Sequence, residues 1–248
     1  MALLKEYIDS GNYLFRKRSY IPLLLYAVAT LVVFLDSEAL FHPPDLLWSA
    51  ICLVISLSGL VVRIMVTGTV PAGTSGRNTK GQLARTLNTR GIYSVVRHPL
   101  YLGNFLMWLG LILYVGHIWF WLVAILLYWI YYERIMFAEE DFLKKQFGDQ
   151  FEEWAARTPA IIPRLGRWQR PDRGFSVKKV IKREYRGLVA VILTFVYLNL
   201  ITNRALQQQW DINGHWLTGL IFAVALFITI RLIKKQTHLL DAKKKAGQ

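Results

Sequence analysis

Cysteine is almost missing from this chain. Cys52 is the only one in 248 residues and lies in an apolar run, so no disulfide and no cysteine-based metal site can be built within the sequence. Acids are scarce as well, with 16 Asp and Glu against 30 Lys and Arg and a formal charge of +14. No Gly-x-Gly-x-x-Gly follows a strand-like run, so a soluble-type dinucleotide fold has no support. There is no internal repeat. The N-terminus carries Lys5, Glu6 and Asp9 in place of a short apolar core with a small-residue cleavage site, so no cleavable leader is expected.

What is present is apolar length. Hydrophobic residues make up 54% of the chain, and the mean hydropathy is +0.32. Nine Trp and 12 Tyr are types enriched at the two edges of a bilayer. On a soluble protein the basic excess would point to nucleic acid. On a membrane protein it marks cytoplasmic loops and contact with anionic lipid, and that is the expectation here, with no nucleic-acid partner.

Six apolar runs are readable, at 21–41, 46–66, 99–115, 118–132, 187–203 and 216–233. The basic segments are the N-terminus, the loop 67–97, the region 144–186 and the tail with Lys243, Lys244 and Lys245. Short turns at 42–45, 116–117 and 204–215 are poor in Lys and Arg. Six spans put every basic segment on one side, so the expected fold is an all-α, polytopic membrane protein with about six transmembrane helices and both termini cytoplasmic. Residues 1–18 suit a short interfacial helix. Between 138 and 156, Phe142, Leu143, Phe147, Phe151 and Trp154 recur at helical spacing, which predicts an amphipathic helix against the membrane.

Two stretches carry chemistry. The first is Arg97-His98-Pro99-Leu100-Tyr101-Leu102-Gly103, where a basic, Gly-rich loop meets an apolar run. Pro99 suits a first helical turn, because its missing N–H would have no partner there. A cation, an imidazole and a helix N-terminus thus meet at a membrane boundary, and helix N-termini favour anionic groups. Read alone, the stretch fits an interfacial anchor as well as a site. The second is Glu139-Glu140-Asp141-Phe142-Leu143, continued by Phe147-Gly148 and Arg157-Thr158-Pro159. Adjacent carboxylates directly after an apolar run are costly unless paired or wet. A solvated helix segment and a plain cytoplasmic anchor at Arg157 are the alternatives.

Together the stretches resemble the integral-membrane methyltransferases typified by isoprenylcysteine carboxyl methyltransferase, with phospholipid N-methyltransferases as more distant relatives. The matching residues are Gly91-Ile92-Tyr93, then Arg97 to Gly103, then Glu139-Glu140, Leu143, Phe147-Gly148, Phe151, Trp154, Arg157, Pro159 and Pro163. Phe151 and Trp154 stand where the family usually has Tyr. The resemblance covers roughly residues 63–163 and divides the chain into residues 1–66 with two spans, a catalytic core at 67–163, and a linker with two accessory spans at 164–248.

The resemblance implies methyl transfer from S-adenosylmethionine to a lipid or prenylated acceptor, in a membrane protein whose active site faces the cytoplasm. His98, Tyr101, Gly103, Glu139 and Glu140 are then the candidates for cofactor contact. Arg97 would hold the motif's loop or the cofactor carboxylate. Arg157 would face the acceptor, with Arg63 the next cation in line; Arg157 and Glu140 are the candidates for catalysis. No metal is implied. An anionic oxygen acceptor needs a cation to hold it and no general base. An amine acceptor must lose a proton, which Glu139, Glu140 or His98 is suited to take. Phospholipid amine N-methylation is therefore one alternative. Another is an NADPH-dependent sterol-type reductase, since such enzymes carry a similar Arg-His-Pro-x-Tyr-x-Gly stretch; the paired glutamates and the Phe-Gly spacing favour the methyltransferase.

Overall fold

The computed structural model describes residues 2–37, 45–71 and 82–237. The expected turn at 42–45 falls mostly outside these residues, as do Arg77 and Lys80 of the basic loop and the tail lysines. Eight α-helices follow one another: α1 (Ala2–Lys17), α2 (Leu24–Leu35), α3 (Leu46–Thr69), α4 (Pro99–Tyr114), α5 (Ile118–Phe147), α6 (Asp149–Arg157), α7 (Val177–Gln207) and α8 (Gly214–Gln236). Among the described residues there is no strand, only an isolated bridge between Gly91 and Gln169.

The apolar helices identify an integral membrane protein, and their count differs from the six spans expected. Four helices, α3, α5, α7 and α8, are long and apolar enough to cross a bilayer, and α1 with α2 forms a pair bent by 70°. Helix α4 has 16 residues, a length of ~24 Å at 1.5 Å per residue. That falls short of a hydrocarbon core of ~30 Å. It is held against α3 by small residues. A Cβ on Gly103 would sit 2.7 Å from the Arg63 Cγ and 2.8 Å from the Gly59 carbonyl oxygen, so the crossing tolerates no side chain there.

Helix α1 is the amphipathic segment expected at the N-terminus. It lies along α5, with the Tyr7 ring edge-on to Phe137 at 5.4 Å and the Arg134 guanidinium 3.8 Å from the Tyr7 ring centre. The amphipathic helix expected at 138–156 is two pieces. Its first ten residues continue the 30-residue α5, and Gly148, at φ +51°, breaks the chain before α6. Phe151 and Trp154 are buried by α6.

The main core joins α2, α3, α4, α5, α7 and α8 through Val33, Cys52, Ile112, Ala124, Phe195 and Trp216. Phe195 stacks on Trp216 at 4.8 Å. Helices α7 and α8, expected as accessory spans, share this core. Helix α7 also begins ten residues before its apolar run, and Ser176 N–H caps the end of α3 at the Gly68 carbonyl, 2.9 Å away. The first turns of α7 are thus tied to α3 on the basic side.

Candidate active site

Arg97 is a clasp. Its Nε donates to Glu140 Oε1 at 2.9 Å, and its Nη1 donates to the carbonyls of Ala155 at 2.7 Å and Thr158 at 2.8 Å. The backbone repeats the connection. Arg97 N–H donates to the Pro159 carbonyl at 2.8 Å, His98 N–H to that of Ala160 at 3.1 Å, and Arg164 N–H to that of Val95 at 3.0 Å. His98, 5% exposed, places Nε2 2.8 Å from the same Glu140 oxygen. This set sews the 91–98 segment to α5 and to the stretch after α6. Pro99 can then open α4 directly below, since it has no N–H to satisfy.

Beneath the clasp lies a cavity of about 440 Å³. His98, Tyr101 and Glu139 line its upper part with Tyr93, Phe142, Leu143 and Trp154. The rings are fixed: His98 stacks with Tyr101 at 5.7 Å, Tyr101 leans on Tyr132 at 5.1 Å, and Trp154 Nε1 donates to the Tyr93 carbonyl at 2.9 Å. Burial, and secondarily the Glu139 carboxylate, push the Tyr93 phenol well above its usual range, so it stays a neutral donor. Glu139 keeps one third of its side chain exposed, and its closest ion-pair distance is 3.9 Å, to His98 Nδ1.

One helical turn further along α4, Asn104 marks a second part. Asn104 Oδ1 accepts from Arg63 Nη1 at 2.6 Å. Arg63 Nε donates to Glu184 Oε2 at 3.0 Å, and Glu184 Oε1 accepts from the Thr67 hydroxyl at 2.8 Å. Arg18, Arg183 and Arg186 also line the cavity. Five arginines therefore face two carboxylates, Glu139 and Glu184.

The residues expected at the site thus separate. Arg97, His98, Tyr101, Glu139 and Arg63 line one cavity. Glu140 is outside the lining, spent on Arg97 and His98. Gly103 is outside too, and serves by leaving room for the Arg63 stem. Arg157 is not brought to the cavity. It is exposed on α6, its Nε donates to the Glu153 carbonyl at 3.1 Å, and it borders a separate open depression with Arg90 and Trp168. Its position after the Phe-Gly block suggested the acceptor's side, but the last turn of α6 aims it outward. Sequence reasoning missed Glu184, Asn104 and Thr67. Glu184 had a signal, as the single acid among Lys178, Lys179, Lys182, Arg183 and Arg186 at the edge of an apolar run.

Residues 47–150 match the profile of the phospholipid methyltransferase family. Over 77 residues, 31% of this chain and 33% of the other, the sequence is 36% identical to Protein-S-isoprenylcysteine O-methyltransferase of Schizosaccharomyces pombe. Over this core the chain is similar to the phospholipid methyltransferase family. It is also 34% identical over 121 residues, 49% of this chain and 54% of the other, to the cobalt-zinc-cadmium resistance protein CzcN of Cupriavidus metallidurans. A nickel-cobalt-cadmium resistance protein, NccN of Alcaligenes xylosoxydans xylosoxydans, is 35% identical over 85 residues, 34% of this chain and 39% of the other. The chain spans a third to about half the length of these curated relatives. No solved structure matches. Among the described residues, no group of three His, Cys, Asp or Glu side chains is placed to hold a metal ion. The phospholipid methyltransferase match includes Arg63, the motif at 97–103 and both glutamates of α5. It ends before Arg157 and Glu184.

Proposed function

We propose that this protein is an S-adenosylmethionine-dependent methyltransferase acting on a lipid or prenylated acceptor with an anionic oxygen. The observation that carries the reading is a single cavity lined both by Glu139 with several aromatic side chains and by Arg63 with four further arginines. Its volume of about 440 Å³ lies in the range of small-molecule sites, roughly 300–1,000 Å³. The residues of the upper part suit the cofactor. A partly free carboxylate beside four aromatic side chains favours a cationic group over a neutral one. When bound, S-adenosylmethionine supplies a methyl group on a positively charged sulfur. Glu139 would take its amino or sulfonium side, and Tyr93, Tyr101, Phe142 and Trp154 would face its base and sulfur. A phosphate-bearing nicotinamide cofactor would suit the five arginines of the cavity but gains nothing from Glu139, and direct titration separates the two.

The chain's own work is alignment and exclusion of water. Arg63, fixed by Glu184 and Asn104, would hold a carboxylate or phosphate oxygen through its remaining N–H groups. No group need take a proton from such an acceptor. Once a carboxylate or phosphodiester oxygen is methylated, Arg63 faces a neutral ester and loses its charge-assisted hold, which favours release into the bilayer. The relative named for isoprenylcysteine O-methylation agrees with this acceptor class. The family's phospholipid name points to an amine instead, for which Glu139 is the base at hand; the excess of arginines in the cavity opposes a protonated amine.

The reading also puts the site on the cytoplasmic side. The segments around the cavity carry Arg16 to Arg18, Arg90 and Arg164 to Arg173, while the turns at 115–117 and 208–214 have no Lys or Arg.

Titration of the purified full chain with S-adenosylmethionine and with NADPH tests the cofactor. Saturable binding of the first and none of the second is expected. Glu139→Gln should weaken that binding about tenfold, the value of one partly exposed charged contact. Membranes incubated with methyl-labelled cofactor should yield a labelled neutral lipid ester. NADPH binding, or label on an amine lipid, would overturn the respective half of the reading.

A further inference from the structure

Glu184 is buried, with 6% of its side chain exposed, and it comes from α7, outside the part of the chain that the family profile covers. A carboxylate in such a place is costly unless its oxygens are satisfied and its charge paired. Both conditions are met. One oxygen accepts from Arg63 Nε and the other from the Thr67 hydroxyl. Arg63 in turn is gripped from two sides, by Glu184 of α7 and by Asn104 of α4. Those bonds use Nε and one hydrogen of Nη1. The rest of the fork is left at the cavity that Arg63 lines.

The grip is one of orientation. An arginine side chain loses rotamer entropy when it is held. Here the loss is met on folding, before an acceptor arrives. The stem runs through the space left by Gly103, where a Cβ would come within 2.7 Å of the Arg63 Cγ. The motif glycine and the α7 glutamate thus act on the same side chain.

We propose that Glu184 is a positioning residue for the acceptor site: it holds Arg63 so that the free edge of the guanidinium meets an anionic lipid head. The proposal rests on the methyltransferase reading for its purpose but not for its test. A competing effect has the opposite sign. As a counter-charge, Glu184 lowers the positive potential of Arg63, and removing it would strengthen anion binding if that effect won. The geometry favours positioning, because Arg18, Arg183 and Arg186 already supply positive potential to the cavity, while Arg63 is held by two side-chain acceptors that line it.

The test uses the full chain in lipid nanodiscs of phosphatidylcholine, with oleate as the anionic probe and oleylamine as its cationic counterpart. Wild-type protein should bind oleate in preference. Glu184→Gln keeps a carbonyl acceptor for Arg63 and an amide N–H that can donate to the Thr67 hydroxyl but loses the charge, and should weaken oleate binding about tenfold, as should Arg63→Lys, which loses the fork. The double variant Arg63→Lys/Glu184→Gln should be no weaker than Arg63→Lys alone, since Glu184 acts through Arg63. Thr67→Val, isosteric and uncharged, should show a smaller loss in the same direction. Should a single variant misfold, Arg63→Gln/Glu184→Gln leaves no unpaired buried charge and should fold without an oleate preference. S-adenosylmethionine affinity, measured in parallel, should stay unchanged throughout. Tighter oleate binding by Glu184→Gln, additive losses in the double variant, a wild type without oleate preference, or cofactor affinity falling with oleate affinity would each overturn the proposal. Absence of cofactor binding in the wild type, with the oleate pattern intact, would instead remove the methyltransferase reading alone.

Discussion

Arg97 with Glu140 and Arg63 with Glu184 are ion pairs of nearly equal length, 2.9 and 3.0 Å. They differ in what else each guanidinium touches. Arg97 spends both Nη1 hydrogens on two backbone carbonyls of the segment it closes over, at the edge of the cavity it also lines. Arg63 meets a second side chain, Asn104, and keeps an edge on the cavity. One pair ties chain to chain, and the other aims a cation. An arginine at the head of a motif is therefore not a ligand by virtue of that position. Its acceptors decide.

The largest expected effect tests whether the two pairs belong to one unit. A chain ending at Arg173 loses Glu184, Phe195 and the Phe175 ring that covers Gly68. It should yield no monodisperse species on size exclusion in detergent. A monodisperse truncated protein that still bound S-adenosylmethionine would show that residues 164–248 are accessory after all.

The same substitution at both arginines separates clasp from aim. Arg97→Lys keeps the charge, but one nitrogen cannot reach Glu140 and both carbonyls. It should cost about 2 kcal/mol of stability, the value of one or two partly buried charged hydrogen bonds, read as a lower thermal midpoint and faster proteolysis between Thr158 and Arg164. Turnover of the folded fraction should change little. Arg63→Lys should do the reverse, slowing acceptor turnover about tenfold, or ~1.4 kcal/mol of barrier, with a smaller change in midpoint. Equal midpoint losses in the two variants would erase the distinction.

The smallest effect concerns Arg157. Its exposed place on α6 predicts that Arg157→Ala changes kcat/KM by no more than about twofold, the usual size for a surface substitution of ~0.5 kcal/mol. Its matched position in the sequence favours a loss of ten- to a hundredfold instead. A loss of that size, measured with cofactor affinity unchanged, would return the acceptor's anchor to Arg157 and leave Arg63 a structural cation.

Local sequence was enough for several features. The helical hairpin of α4 and α5, the start of α4 at Pro99 and the α1 amphipathic helix follow from hydropathy period and proline chemistry. Glu139 and His98 at one cavity were legible too, because a motif and a paired acid flank the same hairpin. The break at Gly148 was harder, since Phe147 to Trp154 keeps a helical period across a residue whose positive φ ends one helix and starts another. Span count was harder still. Composition records how apolar a run is, but α4 has only 16 residues between Pro99 and the turn at Gly116, whose φ is +75°, and α2 has 12.

By itself the sequence determined an all-α membrane protein, its apolar segments and the two motifs, because each depends on residues a few positions apart. Tertiary structure alone decided how the two glutamates of α5 divide, one to the Arg97 clasp and one to the cavity. Neighbours in a helix point about 100° apart, so only the packing of the 91–98 segment settles which of them meets Arg97. It also decided that Arg63 is joined to Glu184 across 121 positions of chain. No local pattern encodes such a pair. It exists because α3, α4 and α7 pack closely enough, over Gly103, for one buried carboxylate to reach one partly exposed guanidinium.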